Sequence, residues 1–354
     1  MNIEENLQKL DRIGKAIRSS RVAILTHNNP DPDAIAAAMG FSFLLKRHFK
    51  VDSTIYYGGI IGRVENRLMV QHLKIPLKNI RDFDHRVHRT VALVDTQPSA
   101  GNNALLPNII PDIIIDHHIP IRKKTRQSPF YDIRPDFGSS STIVFGYLKA
   151  AGIAIPSRVA TALFYGIKTD TYDLGREFVQ EDIKAYASLI ESINRNILGI
   201  IEHPLHRQSY FVQMHQALNN VEIFEDLLTT VIWDLDYPEV TAEIADWFYT
   251  MHGIKCSIAI GIEKNETINI SMRSRDKKRD AGRLIRTIVG RHGMAGGHSL
   301  IAGGAIHLPE ADEKTIKAEV EHIKKRFFET LSKTAIIHPA PLIPQTIDSD
   351  SDDM

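Results

Sequence analysis

Ala23-Ile24-Leu25-Thr26-His27-Asn28-Asn29-Pro30-Asp31-Pro32-Asp33 is the stretch on which the reading of the chain depends. Its short apolar run reads as a buried strand, and the run empties into a turn of Asn, Pro and Asp. The turn carries one imidazole and two carboxylates, at positions 27, 31 and 33. Asp31 and Asp33 stand two apart, so in an extended turn they need not aim at one point and could serve two neighbouring cations. The plainer reading takes Asn-Pro-Asp-Pro as ordinary turn chemistry and His27 as a strand-end residue. Alone, the stretch leaves both open.

Outward from it, residues 4–20 are expected as a helix, with Leu7, Leu10, Ile13 and Ile17 along one face. Residues 34–48, rich in Ala and Leu, read as a second helix, and 51–57 alternate as a strand. Val91-Ala92-Leu93-Val94-Asp95 and Ile113-Ile114-Ile115-Asp116-His117-His118 repeat one design, an apolar run closing on an acid. Such β-branched runs suit a parallel sheet covered by helices on both faces. Ligands of open α/β sheets bind beyond the carboxyl ends of the strands, where these runs finish in Asp or His. Helices are expected over 142–151, 158–167 and 181–197. The second of them runs into Lys168-Thr169-Asp170-Thr171-Tyr172-Asp173.

The chain has 354 residues, which suggests two domains. Residues 1–197 form the expected first domain, 198–214 a linker carrying Gly199 and Pro204, and 215–335 a smaller α/β domain. The remainder, 336–354, ends in Asp348-Ser349-Asp350-Ser351-Asp352-Asp353-Met354 and is expected to be a disordered acidic tail. Lys plus Arg and Asp plus Glu balance at 43 each, so no global field draws the protein to nucleic acid or membrane. The single cysteine, Cys256, excludes an internal disulfide framework and a thiolate zinc cage. The first residues lack the basic-then-apolar pattern of a signal peptide. No apolar run approaches the ~20 residues that span a bilayer, so the expected location is the cytoplasm.

The strand-end groups are His27, Asp31, Asp33, Asp95, Asp116, His117, His118 and Asp170. Carboxylates with imidazoles and no thiolate suit Mn²⁺ or Mg²⁺ before Zn²⁺. Two such ions ~3.5–4 Å apart can generate hydroxide and clamp the oxygens of an in-line phosphoryl displacement. A cap, a surface salt bridge or a satisfied core group explains any one of these residues better; the set, each just past an apolar element, it explains poorly. At this point Thr26–Ala34, Val94-Asp95-Thr96, Asp116-His117-His118 and Gly166-Ile167-Lys168-Thr169-Asp170-Thr171 resemble, in order, the four motifs of the DHH phosphoesterase superfamily. That superfamily includes RecJ-type exonucleases, nanoRNase/pAp-phosphatase enzymes, cyclic-dinucleotide phosphodiesterases and family II pyrophosphatases. Gly296-Gly297-His298 with Gly303-Gly304 resembles the DHH-associated C-terminal domain. Pro32 stands where many relatives have Gly, and Met294-Ala295 interrupts what is often a glycine run.

The resemblance implies an N-terminal parallel-sheet DHH domain, a smaller C-terminal α/β domain and an active-site cleft between them. It implies His27, Asp31 and Asp95 around one metal, and Asp33, Asp95, His117 and Asp170 around the other, with Asp95 bridging. His118 would face the substrate as a catalytic group, with Asp116 holding a histidine tautomer. The expected cofactor is two Mn²⁺ ions, with Mg²⁺ or Co²⁺ as substitutes. Gly138-Ser139-Ser140-Ser141-Thr142 precedes a helix, so Ser141 and Thr142 either cap it or contact a phosphate or ribose. Arg273, Arg275, Lys277, Lys278 and Arg279 form a conspicuous basic cluster. Arg273 and Arg275, two apart on an expected strand, suit a grip on a terminal phosphate. Gly297 allows close approach to a ligand, and His298 could reach the scissile phosphate. The expected activity is hydrolysis of short oligoribonucleotides (nanoRNA) or pAp by metal-bridging hydroxide. The alternatives are a linear or cyclic dinucleotide phosphodiesterase and a non-enzymatic nucleotide sensor. Expected partners are a short oligonucleotide or nucleotide, no long duplex and no membrane; a homodimer is allowed.

Overall fold

The apolar runs pair as one all-parallel sheet: Arg21–Leu25 (β1), Asp52–Tyr57 (β2), Leu77–Asn79 (β3), Thr90–Val94 (β4), Ile113–Asp116 (β5) and Phe130–Ile133 (β6). Their order is β3-β2-β1-β4-β5-β6. The chain therefore steps outward from β1 to β3, returns beside β1 as β4, and steps out the other way. The reversal lies between β1 and β4, with Ile24 opposite Ala92. Open α/β sheets place their ligands at the carboxyl end of such a switch point. This computed structural model describes residues 2–175, 178–276, 280–291, 293–297, 300–332, 334 and 337–343. The chain divides into two units, Met1–Pro204 and Leu205–Met354.

In the first unit the helices are Ile3–Ala16 (α1), Pro32–Leu44 (α2), Val64–His72 (α3), Ser140–Ala150 (α4), Ser157–Asp170 (α5), Gln180–Ile190 (α6) and Arg195–Glu202 (α7). All of them contribute to one core with Val22, Ile24, Ala92, Val94, Ile113 and Ile115. The other sheet face, Ala23, Leu25, Val91, Leu93 and Ile114, is covered by Ile80, Phe83, Leu105 and Ile109 from connecting segments. Among the described residues the α-helices of this unit contribute to the first of these two clusters. The β4–β5 connection contains Pro98-Ser99-Ala100-Gly101-Asn102-Asn103, which favours turns over helix. At the centre, α2 is buried along nearly its whole surface. Its alanines permit close packing, and a Cβ on Gly166 of α5 would lie 2.9 Å from Ala36 Cβ and 2.5 Å from Ser141 Oγ.

The second unit contains Gln208–Asn219 (α8), Glu222–Phe224 (β7), Leu227–Ile232 (β8), Glu239–Tyr249 (α9), Cys256–Glu263 (β9), Thr267–Ser274 (β10), Ala281–Val289 (α10), Met294–Gly297 (β11), Ile301–His307 (β12), Glu313–Leu331 (α11) and Ala340–Pro341 (β13). The sheet order is β11-β12-β10-β9-β8-β7-β13. Here α10 and α11 pack on one face, and α8 and α9 on the other. Three expectations change. The helix read over 181–197 is two, because the Asn194 side chain caps a new one by accepting from Ile197 N at 3.1 Å. The segment read as a linker, 198–214, is largely the end of α7 and the start of α8. Within the segment read as tail, β13 pairs with β7, Ala340 opposite Ile223. Residues 344–354 lie outside the described residues. No described helix is long and apolar enough to cross a membrane.

Candidate metal centre

Asp31 takes the turn role and also stands beside His27. It is the N-cap of α2, its Oδ1 accepting from Ala34 N at 2.9 Å, with Pro32 at the first helical position, where the missing N–H costs nothing. The same Oδ1 lies 3.6 Å from His27 Nε2. Asp33, in the first turn, is buried. Its two oxygens accept from Ser140 N at 2.7 Å and Ser141 N at 2.9 Å. Asp95 follows β4 directly in a left-handed conformation, φ 61°, that costs about 1 kcal/mol. Its own N–H, bonded to Ile115 O at 2.8 Å, holds it there.

Asp95 sits at the middle. One oxygen is 3.5 Å from His27 Nε2 and the other 3.5 Å from His117 Nε2, while His117 Nε2 is 3.1 Å from Asp170 Oδ2. Three ligand sets result, each with its atoms within 4.8 Å of one another: His27, Asp31 and Asp95; Asp33, His117 and Asp170; Asp95, His117 and His118. Ligands of an octahedral cation at ~2.1 Å stand ~3 Å apart, so these separations suit cations. The tautomers agree. His27 Nδ1 donates to Asn28 O at 2.9 Å and His117 Nδ1 to Phe137 O at 3.0 Å, since a carbonyl can only accept. Each Nε2 therefore faces the carboxylates and is the nitrogen that a cation would take in place of a proton. His117 Nε2 is buried without a hydrogen-bond partner.

The electrostatics express the same need. Burial, then the neighbouring Asp95 and Asp170 carboxylates, raise the Asp33 carboxyl well above its ordinary range. Burial works against a charged His27 or His117, yet the carboxylates around them lift both well above the ordinary imidazole value. Without cations this cluster stores protons; cations would replace them.

His118 differs from the other two imidazoles. Its side chain is 56% exposed, and Nδ1 is 2.8 Å from Asp116 Oδ1. Burial opposes its charge, but Asp116 and Asp95 lift its pKa to about 9. The other Asp116 oxygen accepts from Gln97 Nε2 at 2.8 Å, and that nitrogen also donates to His118 O at 2.9 Å. Gln97 Oε1 accepts from Arg122 N at 2.8 Å and Thr125 Oγ1 at 3.0 Å. Sequence reasoning missed Gln97, because a glutamine in a loop carries no local signal. It missed Ser140 as well, whose hydroxyl donates to Asp95 Oδ1 at 2.8 Å.

Several expected substrate contacts are corrected. Ser141 and Thr142 have no exposed surface. Ser139 is the cap of α4, its Oγ accepting from Thr142 N at 3.1 Å, and Thr142 Oγ1 donates to buried Asp182. The helix end does bind an anion, but that anion is the Asp33 carboxylate. Arg273 is 3% exposed. Its Nε and Nη2 donate to Asp246, Nη2 also to Ala242 O, and Nη1 to Ser271 Oγ and Met272 O. All five N–H groups are engaged, leaving none for a phosphate. Arg275 lies just past β10, donates to Tyr249 O and stacks on that ring at 4.3 Å. Of the two, Arg273 is the one covered by α9, through Ala242 and Asp246, while Arg275 stays exposed. Gly297 is exposed in β11 at φ 151°, where a Cβ would meet Ala302 Cα at 2.5 Å. His298, Lys277, Lys278 and Arg279 lie outside the described residues.

Residues 21–167 match the DHH family, N-terminal domain. An uncharacterized protein of Methanocaldococcus jannaschii, MJ1633, is 33% identical over 320 residues, 89% of this chain and 65% of the relative. A probable manganese-dependent inorganic pyrophosphatase of Enterococcus faecalis is 25% identical over 181 residues, 51% of this chain and 58% of the relative. The chain thus spans under two thirds of the length of these curated relatives. Among solved structures, an exopolyphosphatase-related protein from Bacteroides fragilis superimposes with a TM-score of 0.70 at 16% identity, covering 92% of this chain and 97% of that one. That likeness is one of fold.

Proposed function

From a chain that belongs to the DHH superfamily, we propose a metal-dependent phosphoesterase that binds two Mn²⁺ ions and hydrolyses short oligoribonucleotides or pAp. The observation that carries the proposal is Asp95, buried and common to two of the three ligand sets, beside a His117 Nε2 with no hydrogen-bond partner. His27, Asp31 and Asp95 would hold one cation; Asp33, Asp95, His117 and Asp170 would hold the other. Manganese is favoured by the oxygen-rich, thiolate-free donor set and by the manganese named for the pyrophosphatase relatives. Bound there, the pair supplies a nucleophile from water at neutral pH and neutralises phosphoryl charge.

The chain's own groups do the rest. His118 keeps Nδ1 on Asp116 and presents Nε2 to substrate, protonating the leaving oxygen as general acid. Asp116 stabilises the imidazolium, and Gln97 orients Asp116. Ser140 and the α4 N-terminus keep Asp33 and Asp95 aimed at the cations. Overall neutrality argues against long polymers, which call for an extended basic track. A second reading, pyrophosphate hydrolysis, is favoured by the names of the 25%-identical relatives. A panel of dinucleotides, pAp, cyclic dinucleotides and pyrophosphate with Mn²⁺ tests both. Turnover of oligonucleotides or pAp supports the proposal; turnover of pyrophosphate alone replaces it. Retention of ligand without product would make the protein a sensor.

A further inference from the structure

Between Asp116 and Asp132 there is no acidic residue, yet Arg122, Lys123, Lys124 and Arg126 stand together, starting four residues after His118. They sit on the short 3₁₀ turn Lys123–Gln127 and its N-cap, Arg122. Lys123 and Arg126 are exposed and Arg122 is half-buried. Among the described residues no carboxylate pairs with the side chains of Arg122, Lys123 or Arg126. The charges of α11 behave differently, with Lys317 on Glu313 at 2.5 Å and Lys325 on Glu329 at 3.8 Å. A solvated charge run needs no support beneath it, but this one has it. Buried Thr125 and the Arg122 amide both bond Gln97 Oε1, and Lys124 Nζ donates to Pro107 O at 3.0 Å. Gln97 is the same side chain that holds Asp116 and the His118 carbonyl. One buried amide therefore joins the acid-base pair to the unpaired cations, and four residues of chain reach at most ~14 Å.

We propose that the turn Arg122–Arg126 is a binding site for the phosphodiester chain of a single-stranded oligonucleotide, gripping phosphates beyond the one cleaved at the metal centre. This deepens the proposed function and rests on it. Exposed Ile119 and Ile121, between His118 and the turn, offer apolar surface to the intervening bases. The turn is short, so the site measures a few nucleotides and has no reach for a long strand.

The test is binding of fluorescein-labelled, phosphorothioate-linked oligoribonucleotides of two to six residues to the full chain with Mn²⁺. The parent is compared with the Arg122→Gln, Lys123→Gln, Arg126→Gln triple variant. Melting temperature and Mn²⁺ stoichiometry serve as controls for fold and metal centre. The parent should gain at least about tenfold in affinity from dimer to hexamer, and its salt slope should exceed the variant's by about 2, from three contacts at ~0.7 each. The variant should be nearly blind to length. Equal length dependence and equal salt slope in the two proteins overturn the site. If the parent binds the hexamer in this way but hydrolyses no phosphodiester, the site stands and the proposed activity falls. If both proteins hydrolyse and bind alike, the activity stands and the site falls.

Discussion

In the first unit His117 ends with a buried nitrogen that lies 3.1 Å from Asp170 without making a well-formed hydrogen bond, and Asp33 is held against two other carboxylates. In the second unit Arg273 ends with every N–H engaged by Asp246, Ser271 and backbone carbonyls. Both sets of charges stand at or near strand ends, and both looked functional from the sequence. The difference is whether the fold completes them. A charge that the protein itself satisfies is structural; one left incomplete while buried awaits something from solution.

Four experiments break or sharpen this contrast, beginning with the largest effect. Asp95→Ala removes the carboxylate common to two ligand sets, so turnover should vanish and Mn²⁺ stoichiometry should fall below two by calorimetry; two bound ions in the variant would undo the bridging role. His118→Ala should leave Mn²⁺ binding intact and slow kcat by about 10²–10⁴-fold, the range for a lost general acid. An effect confined to KM would instead make His118 a binding group. Arg273→Ala should cost about 2 kcal/mol of stability, from losing charged hydrogen bonds to a partly exposed partner. Its kcat and KM per folded molecule should not change, and a raised KM at full stability would restore Arg273 to the substrate.

The smallest effect is a titration. In the metal-free protein His118 should titrate near pH 9 by NMR, and Asp116→Asn should move it down towards the ordinary value of ~6.5. Because the folded state holds this proton more tightly than the unfolded chain does, its stabilising contribution is complete below about pH 6.5 and fades as pH rises through about 9. A His118 that titrates alike in both proteins would remove Asp116 as its partner.

Much of this was legible from position along the chain. The β-branched runs 91–94 and 113–115 had to be covered strands, and the residues after them had to emerge at one sheet edge. The expected metal ligands accordingly meet around Asp95. What misled was local ambiguity. Ser141 and Thr142 follow glycine at a helix start, a pattern that fits a substrate site and an internal anion equally. Arg273 and Arg275 look alike as a basic pair two apart, and a one-dimensional pattern does not say that α9 covers Arg273 and leaves Arg275 exposed.

The amino-acid sequence by itself determined the parallel sheet, the strand ends at which polar groups gather and the divalent-cation character of those groups, because periodicity and residue type are local properties. Only the tertiary structure decided which charges remain incomplete. Gln97 acquires importance from residues 19 to 28 positions away, and Asp33 finds its amides 107 positions along the chain. Hydrogen-bond satisfaction depends on what the fold brings within about 3 Å, which sequence neighbours do not reveal.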